Sequence, residues 1–525
     1  MTAPATAPAP ARATAPAQSG ATPTLLLISV FVIATCGLVY ELIAGTLASY
    51  LLGDSVTQFS TVIGVYLSAM GVGAYLSARV ERDLLALFVR TEILIGLTGG
   101  FSAAVLFLLF DQVTSFRIPL YGILAVVGIL VGVEIPLLLR ILHDQFAFKD
   151  LVARVLTFDY IGALFASLLF PLVLVPHLGL IRSSFLFGIM NVVVALWLLS
   201  VLGHEIRWVR AHRAAAVAVL AALIVGFVYA ERIMTFSEAA MYTDPVIYAR
   251  STPYQRIVLT SSHRDLRLYL NGNLQFSSRD EYRYHEALVH PGLAAIKDPR
   301  RVLIFGGGDG LAAREVLKQP AVESITQVEL DPAMVRLFSD NSLLSDLNGQ
   351  SFASPKLRVI NDDAFVWLKA QAGLAERPRF DFVIVDFPDP SNYSIGKLYT
   401  LSFFRLLRGI LAPGGAVVVQ STSPYVARQS YWCVVATLEA AGFATMPYHA
   451  YVPSFGEWGF VLASLSPLQH AREYPAGLRY VSAATVTDMR RFPPDMDRVA
   501  TEINRLDSQA LVRYFDKEWA EYGVN

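Results

Sequence analysis

The first 231 residues consist of long apolar stretches with few charged positions between them. Most of these stretches reach the roughly 20 residues that a helix needs to cross the hydrocarbon core of a bilayer. We therefore predict a multi-pass transmembrane domain over residues 25–231, with about seven helices, the last of them short and rich in alanine. The predicted segments cover residues 25–52, 59–78, 84–110, 118–142, 155–175, 183–202 and 214–229.

Basic residues are concentrated in alternate loops of this half, around residues 79–90, 140–154 and 207–213. By the positive-inside rule these loops and the N-terminus lie in the cytoplasm, which predicts a protein of the cell (inner) membrane. A seventh crossing would place the second half of the chain outside the cytoplasm. An enzyme that uses a cytosolic nucleotide needs that half in the cytoplasm, and we expect it there. Three alternatives follow: segment 214–229 lies in the membrane interface, the helix count is off by one, or the second half faces out.

Of the carboxylates within the apolar segments, we single out Glu41, Glu134 and Asp159. Acids inside a membrane are costly and mark either an ion or substrate pathway or a buried polar pair. The favoured interpretation is that they form hydrogen bonds between helices or lie near an interface. The alternative is a site for a cation.

After residue 241 the pattern changes to short strands and then to alternating strands and helices. Strands at residues 255–259 and 266–270, with Asn271-Gly272 as a hairpin turn, predict a small β subdomain over residues 241–295. The alternation over residues 296–465 predicts a doubly wound, Rossmann-like sheet of the methyltransferase type, mostly parallel. Its predicted strands cover residues 302–305, 326–330, 357–360, 382–387, 416–420 and 460–464.

The two ends of the chain and its composition add limits. Residues 1–24 form an Ala/Pro-rich tract typical of a disordered tail, and residues 466–525 are predicted to form a helical tail. The net charge of −1 over 525 residues gives no reason to expect a nucleic-acid partner. The two cysteines fall in different halves, so neither a disulfide framework nor a metal-ligand spacing is present, and we expect no metal.

A glycine-rich run follows the first strand of the predicted sheet, as Gly306-Gly307-Gly308-Asp309-Gly310. Such a turn, opening a helix, receives a nucleotide-type cofactor at the carboxyl ends of a parallel sheet. Glu329 ends the next strand, about twenty residues further on, where an acidic side chain typically binds ribose hydroxyls. The run therefore predicts a nucleoside-binding crevice.

Acidic residues follow four successive strands, at Asp309, Glu329, Asp363 and Asp386. One aspartate at a strand end is more often a helix cap than a catalyst, but four such junctions predict an acidic cleft. Asp309 would repel the carboxylate of S-adenosylmethionine, because like charges a few ångströms apart are unfavourable. It would attract the propylammonium group that remains after decarboxylation.

Asp386 and Asp389 also predict a cationic second substrate. A free alkylamine, with a pKa near ~10.4, is protonated at pH 7, so an amine nucleophile needs a base. Asp386 is the predicted base, and Asp389 is predicted to hold the other ammonium group of the substrate. These residues predict a diamine that attacks an aminopropyl sulfonium.

Ordered motifs over residues 254–464 resemble the spermidine/spermine synthase family, the polyamine aminopropyltransferases. The membrane half resembles the multi-pass extension of some bacterial members. The motifs are Tyr254-Gln255-Arg256-Ile257, Leu270-Asn271-Gly272-Asn273-Leu274-Gln275, Asp280-Glu281-Tyr282-Arg283-Tyr284-His285-Glu286, Gly306–Gly310 with Arg314-Glu315-Val316, Val328-Glu329-Leu330-Asp331, Asp363-Ala364, Asp386-x-x-Asp389-Pro390, Leu398-Tyr399-Thr400 and Trp458-Gly459-Phe460.

The resemblance implies a donor site for decarboxylated S-adenosylmethionine, a co-substrate, with no prosthetic group. Gln255 and Glu329 would contact the thioadenosine part, with Glu329 on the ribose. The Asp363 side chain and the Ala364 backbone N–H would bind adenine. Asp309 would face the amine-bearing chain.

For the acceptor, the resemblance implies putrescine or a similar amine, with spermidine and methylthioadenosine as products. Tyr284 and His285 would line the amine pocket, Asp386 would accept the proton and Asp389 would bind the polyamine. No metal is required, and by analogy the protein is a homodimer.

This chain departs from the family pattern near the amine pocket. Phe387-Pro388 replaces small hydroxyl residues between the paired acids, and Ser391-Asn392-Tyr393 replaces a Gly-Pro segment. We predict that Phe387 and Tyr393 narrow or reshape the pocket, so that the preferred amine can differ from putrescine.

Two other functions are compatible with parts of the sequence. A methyltransferase would carry an acid just before the glycine loop and none inside it, whereas here Phe305 precedes the loop and Asp309 lies within it. A membrane polyamine carrier or sensor, with a second half that only binds, would use the intramembrane acids.

Overall fold

The computed structural model describes residues 21–52, 55–110, 113, 115–143, 147–263, 265–374, 376–467 and 474–522. It divides into two units, described separately below. The helical unit comprises Met1–Leu47 and Phe59–Thr235, and the α/β unit comprises Ala48–Gln58 and Phe236–Asn525.

Long apolar helices lie on all seven segments predicted from the hydrophobic pattern. They are α1 (Ala21–Leu52), α2 (Ser55–Ser77), α3 (Leu84–Leu109), α4 (Arg117–Leu142), α5 (Phe148–Leu169), α6 (Val175–Val201) and α7 (Val209–Met241).

By length and composition, six helical stretches of the described chain suffice to cross a membrane. One of them, Phe148–Val201, has 54 residues because α5 continues into α6 through a π-helical turn at Phe170–Leu174. Gly179 has a non-helical φ of 73° and interrupts α6. This single stretch therefore contains two of the predicted segments.

Two sequence predictions for this half need correction. The last helix is not short, because α7 has 33 residues. The N-terminal tail does not extend to residue 24, because α1 begins at Ala21; the rest of the predicted tail, residues 1–20, lies outside the described residues.

The intramembrane acids differ in their surroundings. Glu134 on α4 is 1% exposed, whereas Glu41 and Asp159 are only partly buried. Glu92 on α3, which the sequence prediction did not include, is 0% exposed. The most deeply buried acids of this unit are therefore Glu92 and Glu134 among the described residues.

The α/β unit contains two sheets. The smaller is antiparallel, in the order β1-β2-β3-β4. The larger has the order β10-β11-β9-β8-β5-β6-β7, with β9 to β7 parallel and the β10-β11 edge antiparallel. The strands are β1 (Val246–Ser251), β2 (Arg256–Ser262), β3 (Asp265–Leu270), β4 (Asn273–Ser277), β5 (Arg301–Gly306), β6 (Ser324–Glu329), β7 (Leu357–Asn361), β8 (Phe380–Asp386), β9 (Leu411–Gln420), β10 (Ala444–Val452) and β11 (Gly456–Ser464).

Ten helices accompany these sheets in the described chain. They are α8 (Glu281–Ala294), α9 (Leu311–Leu317), α10 (Pro332–Asp340), α11 (Ser342–Leu347), α12 (Ala364–Ala372), α13 (Tyr393–Gly396), α14 (Leu401–Arg408), α15 (Arg428–Ala440), α16 (Ala483–Met489) and α17 (Ala510–Glu521). The predicted class, an apolar helical half followed by an α/β half with a mostly parallel sheet, is confirmed.

Both faces of the larger sheet are covered, as its apolar strands require. On β5, Leu303 and Phe305 pack into the core on one face, and Val302 and Ile304 pack into the core on the other. Helix α8, placed by sequence in the small β subdomain, packs into the second of these cores. The chain after residue 474 contributes Leu511 of α17 to the first core, but α16 and α17 are separated by a non-helical stretch.

Candidate active site

The strand order places a switch point between β5 and β8. From β5 the chain runs outward on one side through β6 and β7, and β8 and β9 lie on the other side. Ligands of open α/β sheets bind at the carboxyl ends of the strands, at such a point. Here Gly306, the last residue of β5, is paired in register with Asp386, the last residue of β8.

The glycine loop is shaped by this close approach. Gly306, Gly307 and Gly310 have φ values of 79°, 63° and 76°, a region that favours glycine. A Cβ on Gly306 would overlap the carbonyl oxygen of Asp386, and a Cβ on Gly308 would lie 2.9 Å from the carboxyl carbon of Glu329. The loop therefore lies directly against both predicted site acids.

Glu329 and Gln255 are brought together by Asp331, which the sequence prediction did not include as a site residue. Glu329 Oε1 accepts a hydrogen bond from the Asp331 N–H at 2.9 Å, and Gln255 Nε2 donates to Asp331 Oδ2 at 3.0 Å. Asp331 also caps α10. Burial raises the pKa of Glu329 to about 7, although the Asp331 N–H opposes this shift.

A charged network anchors the base of the cleft. Nδ1 of His285 lies 2.9 Å from Oε2 of Glu281, and Arg314 donates to both oxygens of that carboxylate, at 2.9 and 2.8 Å. Burial alone would lower the pKa of His285, but the hydrogen bond and charge of Glu281, with Asp309 and Asp386, raise it to about 9. His285 is therefore a cation at neutral pH, on helix α8 beside the glycine loop.

Asp309 is fixed by its own loop. Its Oδ1 accepts a hydrogen bond from the Leu311 N–H at 2.9 Å, and its carbonyl oxygen accepts one from Asn348 at 3.0 Å. Burial raises the pKa of Asp309, whereas the His285 cation opposes this shift. The carboxylate thus lies inside the loop, where its charge acts on whatever the loop binds.

Asp386 accepts a hydrogen bond from Tyr284 Oη at 2.7 Å. Burial raises the pKa of Asp386 to about 6; the His285 cation and the Tyr284 hydroxyl limit this shift, and Asp309 adds to it. A carboxylate with such a pKa is ionised at pH 7 and is a stronger base than an ordinary aspartate.

Asp389 lies in a cluster of polar groups that the sequence prediction did not assign to the site. Its Oδ2 accepts a hydrogen bond from Thr422 Oγ1 at 3.0 Å, and its Oδ1 lies 3.4 Å from Gln420 Nε2. Gln420 also donates to Tyr399 Oη at 2.9 Å and accepts from Trp458 Nε1 at 3.1 Å. Burial raises the pKa of Asp389 to about 7, although the two donors oppose this.

Backbone strain accompanies this cluster. Thr422 has a φ of 48°, which is rare for a β-branched residue and is found where the surrounding structure imposes it. Gln420 ends β9, so the rule that polar residues at strand ends converge on the crevice identifies it. No comparable sequence signal identifies Thr422.

Asp363 and Ala364 lie at the start of α12, two and three residues beyond Asn361, the register partner of Glu329. Asp363 caps this helix by accepting from the N–H groups of Phe365 and Val366, and Lys397 donates to its Oδ2 at 2.7 Å. Burial would raise its pKa, but Lys397 and the helix N–H groups lower it. Asp363 therefore caps this helix and also forms an ion pair with Lys397.

The side chain of Phe387 lies in the core, and its effect on the shape of the amine pocket stays a prediction. Phe387 is 7% exposed and packs in the core against Phe305, Tyr399 and Phe403, at ring-centroid distances of 6.0, 6.3 and 5.9 Å. Tyr393 is 39% exposed at the start of α13. Of the two departures, only Tyr393 presents its side chain at the surface.

The fold and the crevice are those of a Rossmann-like α/β enzyme. A family model described as "Spermine/spermidine synthase domain" matches residues 281–474. The polyamine aminopropyltransferase of Leptospira interrogans is 53% identical over 496 residues, covering 94% of this chain and 99% of that protein. Polyamine aminopropyltransferase 2 of Ralstonia nicotianae is 54% identical over 506 residues, covering 94% and 98%.

A solved structure of spermidine synthase in complex with the transition-state analogue AdoDATO aligns with a TM-score of 0.43 and 22% identity, over 47% of this chain and 85% of that chain. On the strength of the full-length relatives, the chain belongs to the polyamine aminopropyltransferase family, a family of transferases. The family resemblance derived from the motifs is thereby confirmed.

Proposed function

We propose that the chain transfers the aminopropyl group of decarboxylated S-adenosylmethionine to putrescine or a similar amine, giving spermidine and methylthioadenosine. One observation carries this choice of donor: the glycine loop contains a partly buried carboxylate, Asp309, next to the base of the cleft. A donor with its own carboxylate would meet a like charge there, and a donor that ends in an ammonium group would meet an opposite one.

The donor site is formed by the junctions after β5, β6 and β7. Glu329 binds the ribose, and Gln255, held by Asp331, completes the thioadenosine contact. Ala364 is the first residue of α12, so its N–H is one of the groups without a partner inside the helix. It binds an adenine nitrogen, and Asp363 positions this helix start and accepts from the base.

The acceptor site is formed by Tyr284, His285, Asp386 and Asp389. Asp386 removes a proton from the attacking ammonium group, and Tyr284 positions the Asp386 carboxylate through its 2.7 Å hydrogen bond. The freed amine attacks the methylene carbon next to sulfur, a C–N bond forms and the C–S bond breaks. Its electron pair returns to sulfur, giving neutral methylthioadenosine. No prosthetic group takes part in this displacement.

We place the helical unit in the cell (inner) membrane, in contact with lipid, and the α/β unit in the cytoplasm. Both native thiols, Cys36 and Cys433, are buried, so one exposed cysteine, introduced as Asp298→Cys, can report the side of the membrane. A membrane-impermeant maleimide is expected to label it only after lysis, and labelling of intact spheroplasts would place the unit outside. Light scattering of the purified chain tests the proposed homodimer.

Donor binding tests the proposed function most simply. We expect the detergent-purified chain to bind decarboxylated S-adenosylmethionine at least about a hundredfold more tightly than S-adenosylmethionine, because the carboxylate faces a like charge in a poorly solvated loop. Asp309→Asn keeps the acceptor for the Leu311 N–H and should reduce this preference about tenfold or more. Equal affinity of the wild-type chain for both nucleosides would refute the proposed donor.

A further inference from the structure

The helical unit contains a pair of acids that the transfer reaction does not use. Glu92 on α3 and Glu134 on α4 are 0% and 1% exposed, and their carboxyl groups interact directly with each other. Within the described residues, no donor group contacts either oxygen of Glu92 or Oε1 of Glu134. Buried polar atoms without a partner are rare in native proteins, and each requires an explanation.

Electrostatics limits the charge of this pair. Two carboxylates that face each other away from water cannot both be ionised, because their repulsion and the loss of hydration add. In the absence of a cation the pair therefore holds at least one proton.

Within the described residues, the groups around the pair supply further acceptors and no positive charge. Tyr40 on α1 is 3% exposed, and its hydroxyl has no hydrogen-bond partner among the described residues. Tyr66 on α2 donates to the Gly37 carbonyl at 2.9 Å, so its hydroxyl oxygen is left to accept. The titratable groups that interact electrostatically with the pair are Cys36, Tyr40, Tyr66 and Asp159.

We propose that Glu92 and Glu134 form a cation site inside the helical unit, which exchanges its proton for the ammonium group of a primary alkylamine. An ammonium group donates three hydrogen bonds, which the two carboxyl groups can accept. The described residues contain no cluster of three His, Cys, Asp or Glu side chains suited to a metal ion. The two carboxyl groups of the site offer acceptors that suit an organic ammonium group.

The exchange balances in charge. One proton leaves for each ammonium group that enters, so the total charge of the pair and its occupant does not change. The proton leaves as the amine enters, so the apolar surroundings never hold a second uncompensated charge. This site keeps Glu134 from the sequence prediction and adds Glu92, whereas Glu41 and Asp159 are only partly buried.

Carbodiimide labelling tests the proposal on the full-length chain in detergent. Dicyclohexylcarbodiimide reacts with a protonated carboxyl group in apolar surroundings, and peptide mass spectrometry locates the adduct. We expect an adduct on Glu92 or Glu134. Spermidine at ten times its dissociation constant should slow the labelling about elevenfold, by mass action.

Variants separate a cation site from a merely structural pair. In Glu92→Gln the remaining Glu134 should still be labelled, but spermidine should no longer protect it, because one of the two carboxylates is lost. Glu41→Gln is the matched control and should retain both labelling and protection. Aminopropyl transfer should be unchanged in both variants, so failure of this proposal is distinguishable from failure of the proposed function.

Three results would overturn the proposal. Absence of any adduct on the wild-type pair would show that it holds no reactive proton. Labelling that spermidine does not slow, or slows equally in Glu92→Gln, would show that the amine binds elsewhere or not at all. Protection by sodium chloride but not by spermidine would identify an inorganic cation instead.

Discussion

The hydroxyl group of Tyr284 is expected to tune the base at Asp386, and Tyr284→Phe isolates this effect. Phenylalanine keeps the ring that packs against His285 and Phe460 but removes the 2.7 Å hydrogen bond to Asp386. A hydrogen bond to a charged group contributes about 1.5–3 kcal/mol, and one pKa unit corresponds to about 1.4 kcal/mol. Because Asp386 is only partly buried by surface area, water replaces some of the lost bond. We therefore expect the pKa of Asp386, about 6 in the wild-type chain, to rise to about 7.

The pH dependence of kcat/KM for the amine measures this change. Asp386 acts as a base only when it is ionised, so a higher pKa lowers activity at acidic pH and leaves alkaline activity unchanged. From the ionised fractions, we expect the variant to be about fivefold slower at pH 6, about twofold slower at pH 7 and nearly equal above about pH 8.

The control is Tyr448→Phe, which removes another buried tyrosine hydroxyl beside α8. Tyr448 donates to the Ala287 carbonyl at 2.8 Å and stacks on Phe460, and Asp386 is not its partner. The acidic limb of the pH profile of Tyr448→Phe should match that of the wild-type chain. This control also accounts for the titration of Asp389 and Glu329, whose pKa values are about 7. If the acidic limb of the Tyr284→Phe profile stays at the wild-type pH, or moves to lower pH, the reasoning is refuted.

Three further predictions concern the neighbouring groups. Arg314→Ala leaves the buried carboxylate of Glu281 without its bidentate partner and should lower the free energy of unfolding by about 3–5 kcal/mol. The unfolding temperature should fall, and it should fall less in Arg314→Lys. An unchanged unfolding temperature in Arg314→Ala would contradict this prediction. Burial raises the folded-state pKa of Asp389 to about 7, so this carboxyl destabilises the fold as pH rises from about 4 to about 7. At pH 8 the Asp389→Asn variant should therefore unfold at a higher temperature than the wild-type chain while losing amine turnover. A lower unfolding temperature of the variant would refute this prediction. A Cβ on Gly308 would lie 2.9 Å from the Glu329 carboxyl carbon. Gly308→Ala should therefore raise the KM for the donor about tenfold or more and leave the KM for the amine unchanged. An equal rise in both KM values would point to misfolding.

The parallel strands could be predicted from sequence because both faces of the sheet are covered, which makes each strand a continuous apolar run. The edge strands β1 and β10 were missed because they do not show this pattern. In β1 the side chains are exposed or only partly buried, and β10 contains Pro447, which is typical of an edge. The antiparallel direction of the β10-β11 edge likewise depends on the hairpin between the two strands, which their apolar content does not indicate.

The predicted acids of the cleft converge because the carboxyl ends of parallel strands meet at one edge. Asp331 and Thr422 were missed because their roles depend on contacts between segments distant in sequence. Glu92 lies inside the predicted segment 84–110, but sequence alone does not show that it interacts with Glu134. The burial of Phe387 could not be predicted, because sequence shows its position beside Asp386 but not the direction of its ring.

Product analysis by mass spectrometry tests the central claim most directly. The detergent-purified chain is incubated with decarboxylated S-adenosylmethionine and a panel of diamines, beside Asp386→Asn as the control. We predict methylthioadenosine and an aminopropylated amine in equal amounts, spermidine when putrescine is supplied, with both products lost in the control. A nucleoside that binds but yields no aminopropylated product with any diamine would contradict the proposed function.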